Sequence, residues 1–393
     1  MALDGARSAR PLRVAICLAH FHPVVGGAER QMLQLAQRWA RWGHEPVVFT
    51  RSVRGLPRRE SVEGVEILRV IRTVPLGPLF GLSYIASLAA QLVRHAGRFD
   101  VVLDGQIPWE AAATGLVCPL LGKQAMVMPA STGPAGDVQQ VIAAKGSWLL
   151  RRLVLNNHRF LALSAEASAE LQGFGCELST IRRLGNGVDL HRYAPDAQEP
   201  PERARTVLWV ARLVGAKNPH VLLRAWQRLN VEGKYRLLLA GDGPLATELQ
   251  QFAQLQRLRN VHFLGTVEDV PSLHRRASVF CLPSFGEGCS NALLEAMAGG
   301  LCPVVSRVAG NVDVVRDGVN GLAFDDDDDG QLAEKLACAL EDAPLRRRLS
   351  ARARAYVAAN HDLDRVAGEL LGEFETLLAN RARWRAVKSL KGA

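Results

Sequence analysis

The sequence predicts an α/β protein made of two halves, each containing a parallel sheet. Apolar runs of strand length alternate with segments of helical periodicity, a pattern typical of repeated βα units. The first unit is clear, with a strand predicted at residues 12–19, a loop at 20–27 and a helix at 28–42 that Gly43 ends. A chain of 393 residues is also too long for one ordinary core, which favours two to three domains.

The remaining elements fall into two series. Strands are predicted in the first half at residues 46–50, 65–71, 100–103, 125–128 and 159–163. The second half has predicted strands at 207–210, 235–240, 261–264, 277–282 and 302–306, with helices at 219–229, 245–258 and from 331 onward. Between them, residues 195–201 have the proline and acid content of a linker. We therefore expect two Rossmann-like halves with a cleft between them, and ligands beyond the carboxyl ends of the strands.

Composition is that of a soluble globular protein, with 48% hydrophobic and 22% charged residues. Residues 1–13 are polar and basic, so no signal peptide is predicted. Residues 74–93 carry no charge and approach the length of a membrane span. Because this stretch contains two prolines, two glycines and a glutamine, it favours a loop followed by a helix near residues 82–94, packed in the core or resting on a membrane.

Metal and disulfide chemistry find no support in the sequence. The seven cysteines are odd in number and well separated, and no pair has metal-ligand spacing. Several lie in apolar runs, which indicates small buried hydrophobes in a reducing cytoplasm. The ten histidines show no metal pattern either. We therefore expect no metal and no cofactor.

The net charge of +9 is unevenly distributed. Residues 1–190 contain 21 Lys and Arg against 14 Asp and Glu, and the tail from Arg381 onward carries five basic residues and no acid. A basic half and tail favour an anionic partner, such as an acidic membrane face or a phosphate-bearing acceptor, although simple solubilising charge explains the same numbers. No nucleic-acid-binding motif accompanies the charge, which argues against that partner.

The most informative segment is residues 277–306. An apolar strand leads into a glycine-bracketed turn, a helix begins near Ser290 or Asn291, and Gly299 and Gly300 end it. A strand, a glycine turn and a helix start form an anion site, because backbone N–H groups and the positive end of the helix dipole point the same way. Glu287 and Glu295 flank that site, so the layout suits a nucleotide-sugar, with the phosphates at the helix tip and one sugar ring at each acid.

This segment resembles the E-x7-E signature of retaining GT-B glycosyltransferases of the family 4 type. Taken alone, Glu287 would be a turn cap and Glu295 a solvated helix residue. The resemblance spans residues 12–375 and is strongest at 206–324. It implies the GT-B fold, with an acceptor-side domain at 1–195, a nucleotide-sugar-binding domain at 196–375, and a helical basic tail at 376–393 that crosses back to the first domain. Trp384, Val387 and Leu390 have helical spacing in that tail.

A second element follows the first strand of the second half. Arg212 and Lys217 lie on one strand-end loop, where a planar guanidinium and an ammonium could clamp a diphosphate. Isolated loop cations are usually solvated, but residues 210–217 resemble the family's G-R-L-x-x-x-K-G element, with Ala211 and Asn218 where glycines are usual. The resemblance makes Arg212 and Lys217 the diphosphate ligands.

Weaker signals lie elsewhere. Gly26 and Gly27 precede the first helix, and a Gly-Gly pair by itself indicates only a tight turn. Because residues 21–30 resemble the family's glycine-rich donor loop, contact with the donor is favoured. Residues 241–244 form a Gly-Asp-Gly-Pro turn that lacks the third glycine of a dinucleotide site, so a structural role is favoured. Val267 follows the next strand, in a loop that the resemblance places beside the base. Asn186 shapes a hinge or holds a turn.

One position departs from the family pattern. Family members often carry a histidine after an early strand, near the transferred sugar. Residues 127–137 contain none, and Asp104 and Gln106 occupy another loop where histidines are frequent. His20 and His22 lie near the first glycine loop and are open alternatives.

The resemblance implies a retaining, metal-independent glycosyltransferase that moves a sugar from a UDP- or GDP-sugar to a glycan or lipid-linked acceptor in cell-surface polysaccharide or glycolipid synthesis. The expected location is the cytoplasm, with the inner face of the membrane as a variant. Alternatives are a sugar-nucleotide epimerase, a phosphorylase, or an inactive sugar-nucleotide-binding partner. The predicted catalytic residues are Glu287, Arg212 and Lys217. The predicted donor-binding residues are Gly26, Gly27, Arg212, Lys217, Val267, Glu287, Gly288, Cys289, Ser290, Asn291, Ala292 and Glu295.

Overall fold

The computed structural model describes residues 10–23, 26–133, 136–144, 146–195, 201–229 and 232–390, without the side chains of 78, 201, 202 and 381–390. The chain divides into two compact units: the first comprises the chain up to Gly185 and again from Asp364, and the second comprises Asn186–Leu363. These divisions differ from the predicted boundaries after residues 195 and 375. The predicted linker lies within the second unit, and its residues 196–200 lie outside the described residues.

The described part of the first unit contains an eight-stranded sheet in the order β3-β4-β2-β1-β5-β6-β7-β8. Its strands are β1 (Arg13–Cys17), β2 (Glu45–Arg51), β3 (Arg59–Val62), β4 (Val65–Ile71), β5 (Val101–Asp104), β6 (Gln124–Val127), β7 (Arg159–Ala162) and β8 (Ile181–Arg183). Neighbouring strands are parallel except for β3, which pairs antiparallel with β4. The helices are α1 (Gly27–Arg41), α2 (Pro78–Arg94), α3 (Trp109–Leu121), α4 (Asp137–Ala143), α5 (Ser147–Leu155) and α6 (Ala165–Phe174).

The last helix, α14 (Leu363–Leu390), belongs almost entirely to the first unit. The Trp39 indole on α1 donates to the carbonyl of Ala367 at 3.0 Å, and its ring meets Phe374 edge to face at 5.7 Å. The return to the first unit therefore begins at Asp364, earlier than the tail predicted at 376–393. The side chains of Trp384, Val387 and Leu390 lie outside the described residues.

The described part of the second unit contains a six-stranded, fully parallel sheet in the order β11-β10-β9-β12-β13-β14. Its strands are β9 (Thr206–Val210), β10 (Arg236–Ala240), β11 (Val261–Gly265), β12 (Val279–Leu282), β13 (Cys302–Ser306) and β14 (Leu322–Phe324). The helices are α7 (Pro219–Leu229), α8 (Ala246–Leu255), α9 (Val270–Arg276), α10 (Asn291–Ala298), α11 (Ala309–Val312), α12 (Asp329–Glu341) and α13 (Ala343–Asn360).

Burial explains why the strands lack polar alternation. β5, β6, β12 and β13 are buried along their whole length, as expected for parallel strands covered by helices on both faces. Six of the seven cysteines are buried free thiols, and Cys338 is exposed. In the described segments, no helix is both long and apolar enough to cross a membrane, and no cluster of His, Cys, Asp or Glu could hold a metal ion.

Candidate functional site

The three predicted catalytic residues lie on two loops of the second unit that follow neighbouring strands. In the sheet of the second unit, β10 and β11 lie on one side of β9, and β12 lies on its other side. The strand order therefore reverses between β9 and β12. Ligands of open α/β sheets bind where the strand order reverses in this way. The loop after β9 carries Arg212 and Lys217, and the loop after β12 carries Glu287. The strand order therefore brings these two segments together at the reversal point.

Lys217 and Glu287 form an ion pair. The Lys217 Nζ lies 2.6 Å from Glu287 Oε1, and Ser284 Oγ donates to the same oxygen at 2.6 Å. Glu287 is 8% exposed, whereas Lys217 remains 28% exposed. The backbone also joins the loops, since the Phe285 N–H donates to the Ala216 carbonyl at 3.0 Å. A carboxylate that needs two hydrogen-bond donors to stay buried is thus held in one orientation, beside a cation that solvent still reaches.

Two residues that no sequence motif marks, Ser306 and Asn311, stabilise the loop that carries Glu287. Ser306 Oγ, at the end of β13, donates to the Ser284 carbonyl at 2.6 Å. The Asn311 side-chain amide on α11 donates to Ser306 Oγ and to the Ser306 carbonyl, both at 3.2 Å. Both side chains are fully buried. This chain of hydrogen bonds fixes the turn that carries Glu287, and no sequence pattern marks it because its members come from three separate elements.

The loop leads directly into α10. Ser290 is the N-cap, since its side chain accepts from the Leu293 N–H at 3.4 Å. The first helical residues are Asn291 and Ala292, so the positive end of the helix dipole lies at the end of the Glu287 loop. Gly299 and Gly300 end the helix as predicted, with Gly300 at φ +75°. The predicted strand, turn and helix start are therefore confirmed, with Ser290 as the cap.

Glu295 is only 6% exposed, which excludes the alternative that it is a solvated helix residue. It lies one turn after Asn291 on α10, and residues four apart share a helix face. The side of α10 that carries Asn291 therefore also carries a buried carboxylate. Charged side chains are almost never buried to this degree without a partner, so the Glu295 carboxylate is held in a specific position.

Cys289 takes part in this loop through its backbone carbonyl and not as a thiolate. Burial raises the pKa of its thiol to about 12, so the sulfur stays protonated at neutral pH. The Asn186 side-chain amide donates to the Cys289 carbonyl at 2.9 Å, and His361 Nδ1 donates to the Asn186 carbonyl at 2.9 Å. Asn186 thus fixes the residue that precedes the Ser290 cap. Its place in the Gly-Asn-Gly-Val-Asp turn was predicted, but this contact was not.

Arg212 is exposed, and its side chain forms no ion pair or hydrogen bond with another described residue. Its backbone, in contrast, is tightly constrained. A Cβ on Gly241 would lie 1.8 Å from the Ala211 carbonyl oxygen, and one on Gly243 would lie 2.4 Å from that of Leu213. The Leu213 N–H also donates to the Asp242 backbone carbonyl at 3.0 Å. The Gly-Asp-Gly-Pro turn therefore supports the Arg212 loop, which explains its glycines structurally.

The other predicted donor contacts lie farther from this loop pair or in the first unit. Val267 is half-buried after the edge strand β11, which β10 separates from β9. Gly26 is the N-cap of α1 and Gly27 its first residue, in the loop that follows β1. Residues 24 and 25 of that loop lie outside the described residues.

Asp137 joins the two segments that stand where family members often carry a histidine. Its Oδ2 accepts from the N–H groups of Ala130 at 2.8 Å and Ile107 at 3.2 Å, and its Oδ1 accepts from Ser131 Oγ at 2.6 Å. It thereby ties the loop after β5 to the loop after β6. Residues 134 and 135 of the predicted segment lie outside the described residues.

Asp104, Glu110 and Asp137 form a group of buried carboxyls in the first unit. Burial raises the pKa of Asp104 and of Asp137 above their usual range, and raises that of Glu110 to about 7. The Tyr84 hydroxyl donates to Glu110 Oε1 at 2.9 Å, and Thr114 Oγ1 donates to Asp104. Sequence reasoning missed Glu110, because it lies in an alanine-rich helix with no motif around it.

Comparison with known families identifies the chain. The family described as Glycosyltransferase Family 4 matches residues 25–192, and the family described as Glycosyl transferases group 1 matches residues 194–356. The chain belongs to the GT-B glycosyltransferases of the family 4 type. The predicted resemblance and fold class are thereby confirmed.

Similar proteins agree with this assignment, one over nearly the whole length of this glycosyltransferase and another over part of it. The D-inositol 3-phosphate glycosyltransferase of Salinispora arenicola is 29% identical, over 93% of this chain and 92% of its own. An α-1,4-N-acetyl-D-galactosaminyltransferase of Campylobacter jejuni, whose named acceptor is a diphospho-undecaprenol glycan, is 36% identical over 38% of this chain and 42% of its own.

Solved structures share the fold. Sucrose-phosphate synthase of Thermosynechococcus elongatus superimposes with a TM-score of 0.81 at 20% identity, covering 94% of this chain and 100% of its own. Anabaena HepE, in complex with UDP and glucose, has a TM-score of 0.75 at 16% identity, covering 93% of this chain and 99% of its own.

Substitution of one glycine, Gly310, tests how closely α11 packs against the backbone of the Glu287 loop. A Cβ on Gly310, in α11, would lie 2.1 Å from the Glu287 carbonyl oxygen and 2.6 Å from that of Gly288. We expect Gly310→Ala to lower the free energy of unfolding by about 1–3 kcal/mol, since backbone must shift to admit the methyl group. Urea unfolding measures this. Gly215→Ala, where a Cβ meets nothing within 4 Å, is the control, and equal values for the two variants would contradict the close contact.

Proposed function

We propose that this glycosyltransferase moves a hexosyl group, with retention of anomeric configuration, from a UDP- or GDP-sugar to a glycan or lipid-linked acceptor. The observation that carries the proposal is the ion pair between Lys217 and Glu287 at the reversal of the strand order, beside the N-terminus of α10. A cation and a helix N-terminus suit a diphosphate, and a buried, oriented carboxylate suits sugar hydroxyls.

Each side chain then has a role. Arg212, Lys217 and the first residues of α10 stabilise the negative charge that develops on the diphosphate as the glycosidic bond breaks. Glu287 accepts hydrogen bonds from hydroxyls of the transferred sugar, and Glu295 from those of the ribose. Because the two cations and the helix dipole already neutralise the leaving group, the proposed reaction is metal-independent.

The bond changes balance without a separate protein base. The bond between the anomeric carbon and the phosphate oxygen breaks, and its electron pair remains on the diphosphate. The acceptor hydroxyl attacks from the same face, and its proton passes to a donor phosphate oxygen. In this scheme no histidine is required in the loops after β5 and β6, which agrees with its absence from residues 127–137.

Donor and acceptor classes are supported by the similar proteins. Anabaena HepE is described in complexes with UDP and with UDP-glucose, and the Campylobacter enzyme acts on a lipid diphosphate glycan. A further solved relative in fold, WaaG, is described as involved in lipopolysaccharide biosynthesis. Together with the basic first half, they support a role in cell-surface glycan or glycolipid synthesis at an anionic membrane face.

Thermal unfolding in the presence of UDP-, GDP- and ADP-sugars tests the donor class. A ligand at 100 times its Kd stabilises the native state by about 2.7 kcal/mol, so we expect one base to raise Tm clearly above the others. Transfer by the selected donor is then assayed with EDTA present, and NMR of the product reports the anomeric configuration. An unchanged Tm with every sugar-nucleotide, or a product of inverted configuration, would refute the proposal.

A further inference from the structure

The first unit contains a pocket of about 460 Å³ between the carboxyl ends of β2 and β4 and the second half of α2. Among its lining residues are Arg58, Arg69, Arg72, Arg94 and His95, and no acidic side chain of the described chain lines it. Its volume lies within the range of small-molecule sites. None of the residues assigned to the donor contributes to it, so the pocket is a separate site.

Three separate segments bring the arginines together. Arg58 precedes β3, and because β3 pairs antiparallel with β4, the Arg69 N–H donates to the Arg58 carbonyl at 2.8 Å. Arg72 follows β4, and its N–H donates to Ser87 Oγ on α2 at 2.9 Å. Arg94 lies in the last turn of the same helix. The sequence scatters these residues over 37 positions (from 58 to 94), and the packing of α2 against β4 collects them.

Arg69 differs from the other three in having a structural role. Its side chain is 2% exposed, and it donates to Glu60 Oε2 and to the His22 carbonyl, both at 2.6 Å. Arg58, Arg72 and Arg94 are exposed, and their side chains form no ion pair or hydrogen bond with another described residue. Three cations around one concave surface repel one another and raise the local concentration of anions.

We infer that this pocket binds a phosphate group through Arg58, Arg72 and Arg94. Guanidinium groups match phosphate oxygens in a planar, bidentate geometry, and several of them around one cavity favour a phosphomonoester or a diphosphate over a single carboxylate. Ser52 and Ser87 also line the pocket and add hydroxyl groups of suitable polarity. The same chemistry would accept a free phosphorylated metabolite or the headgroup of an anionic lipid.

The surface beside the pocket is relevant to the second possible ligand, the headgroup of an anionic lipid. On α2, Leu79 and Leu82 are 51% and 65% exposed, and Val93 is 53% exposed. Arginines next to exposed aliphatic side chains are typical of helices that lie at a membrane surface. The experiment therefore includes separate arms for a soluble phosphate and for a lipid phosphate.

Hydrogen–deuterium exchange of the full-length protein tests the site. The soluble probe is inorganic pyrophosphate, and the lipid probes are phosphatidylglycerol vesicles with phosphatidylcholine vesicles as the neutral reference. We expect one probe class to slow exchange at residues 70–74 and 87–95. Protection by pyrophosphate assigns a soluble ligand, and protection by phosphatidylglycerol alone assigns a lipid headgroup. No protection of these segments by either probe would overturn the inference.

Arg94→Glu supplies the matched variant. We expect it to weaken binding at these segments about tenfold or more, because it replaces attraction by repulsion. Arg152→Glu, an exposed arginine in the last turn of α5, makes the same charge change outside the pocket and should retain the protection. Arg72→Gln repeats the test without altering a helix terminus. Equal losses in Arg94→Glu and Arg152→Glu would contradict a specific site. Exchange at residues 212–218 reports the donor site separately, so the two proposals fail independently.

Discussion

Lys217→Ala is expected to lower kcat for sugar transfer by about 10²- to 10³-fold, the loss typical of removing one preorganised charge partner of a leaving group. The substitution removes a cation from the proposed diphosphate site. It also removes one of the two side chains that donate to Glu287 and leaves Ser284 as the other. Because Glu287 is 8% exposed, we expect the carboxylate proposed to bind the sugar hydroxyls to lose its orientation. Initial rates with the donor selected by thermal unfolding measure the effect.

Two comparisons distinguish chemistry from folding. Lys234→Ala removes a lysine whose pairing with Glu341, at 3.5 Å, is exposed, and it should leave kcat unchanged. Arg212→Ala removes an exposed side chain that has no partner within the described residues, so we expect it to reduce transfer while the free energy of unfolding changes by less than about 0.5 kcal/mol. Near-wild-type transfer by both Lys217→Ala and Arg212→Ala would exclude the proposed diphosphate site.

Glu110→Gln is expected to stabilise the protein at pH 8 and to have little effect at pH 4.5. Burial raises the pKa of Glu110 from 4.5 to about 7, so the folded state keeps a proton that the unfolded chain releases over this interval. The stabilising contribution is therefore present below pH 4.5 and is lost as the pH rises through 7. At 1.36 kcal/mol per pH unit, the interval corresponds to about 3 kcal/mol at most, and glutamine avoids this loss because it does not ionise.

Urea unfolding of the variant and the wild type at a series of pH values measures the difference. The glutamine Oε1 still accepts from the Tyr84 hydroxyl, which now donates to Glu110 at 2.9 Å, so the packing should persist. Glu177→Gln, which makes the same substitution at an exposed position of the same unit, is the control. A stability difference that stays constant from pH 4.5 to 8 would contradict a pKa near 7 for Glu110.

Local sequence patterns were sufficient for the central elements of both sheets. The predicted limits of β4, α7 and β13 are those found, because each is an apolar or amphipathic run that turn residues interrupt at both ends. β3 was missed, since its sequence Arg-Glu-Ser-Val forms a half-exposed edge strand without an apolar signal. β14 was missed because three residues are too few to show a period.

The segment around Glu287 shows the same division between what local sequence and what tertiary structure determine. The strand, glycine turn and helix around Glu287 are contiguous in the chain, so the sequence by itself determined this unit, and the family with it. The pairing of Lys217 with Glu287 depends on β12 returning to lie beside β9, and the support from Ser306 and Asn311 depends on β13 following next. Such contacts arise from strand order, which short-range periodicity does not encode.

Burial of individual charges was likewise decided by the tertiary structure. Glu295 and Glu110 both occupy helices in which exposure depends on the elements that cover them, and both proved buried. Conversely, Arg58, Arg72 and Arg94 stand on separate elements and share one pocket only because α2 packs against β4. The sequence alone thus determined the order of βα units and the chemistry of contiguous motifs. The packing of those units decided which distant charges meet and which lose their water, because solvation and Coulomb energies depend on distance in space rather than along the chain.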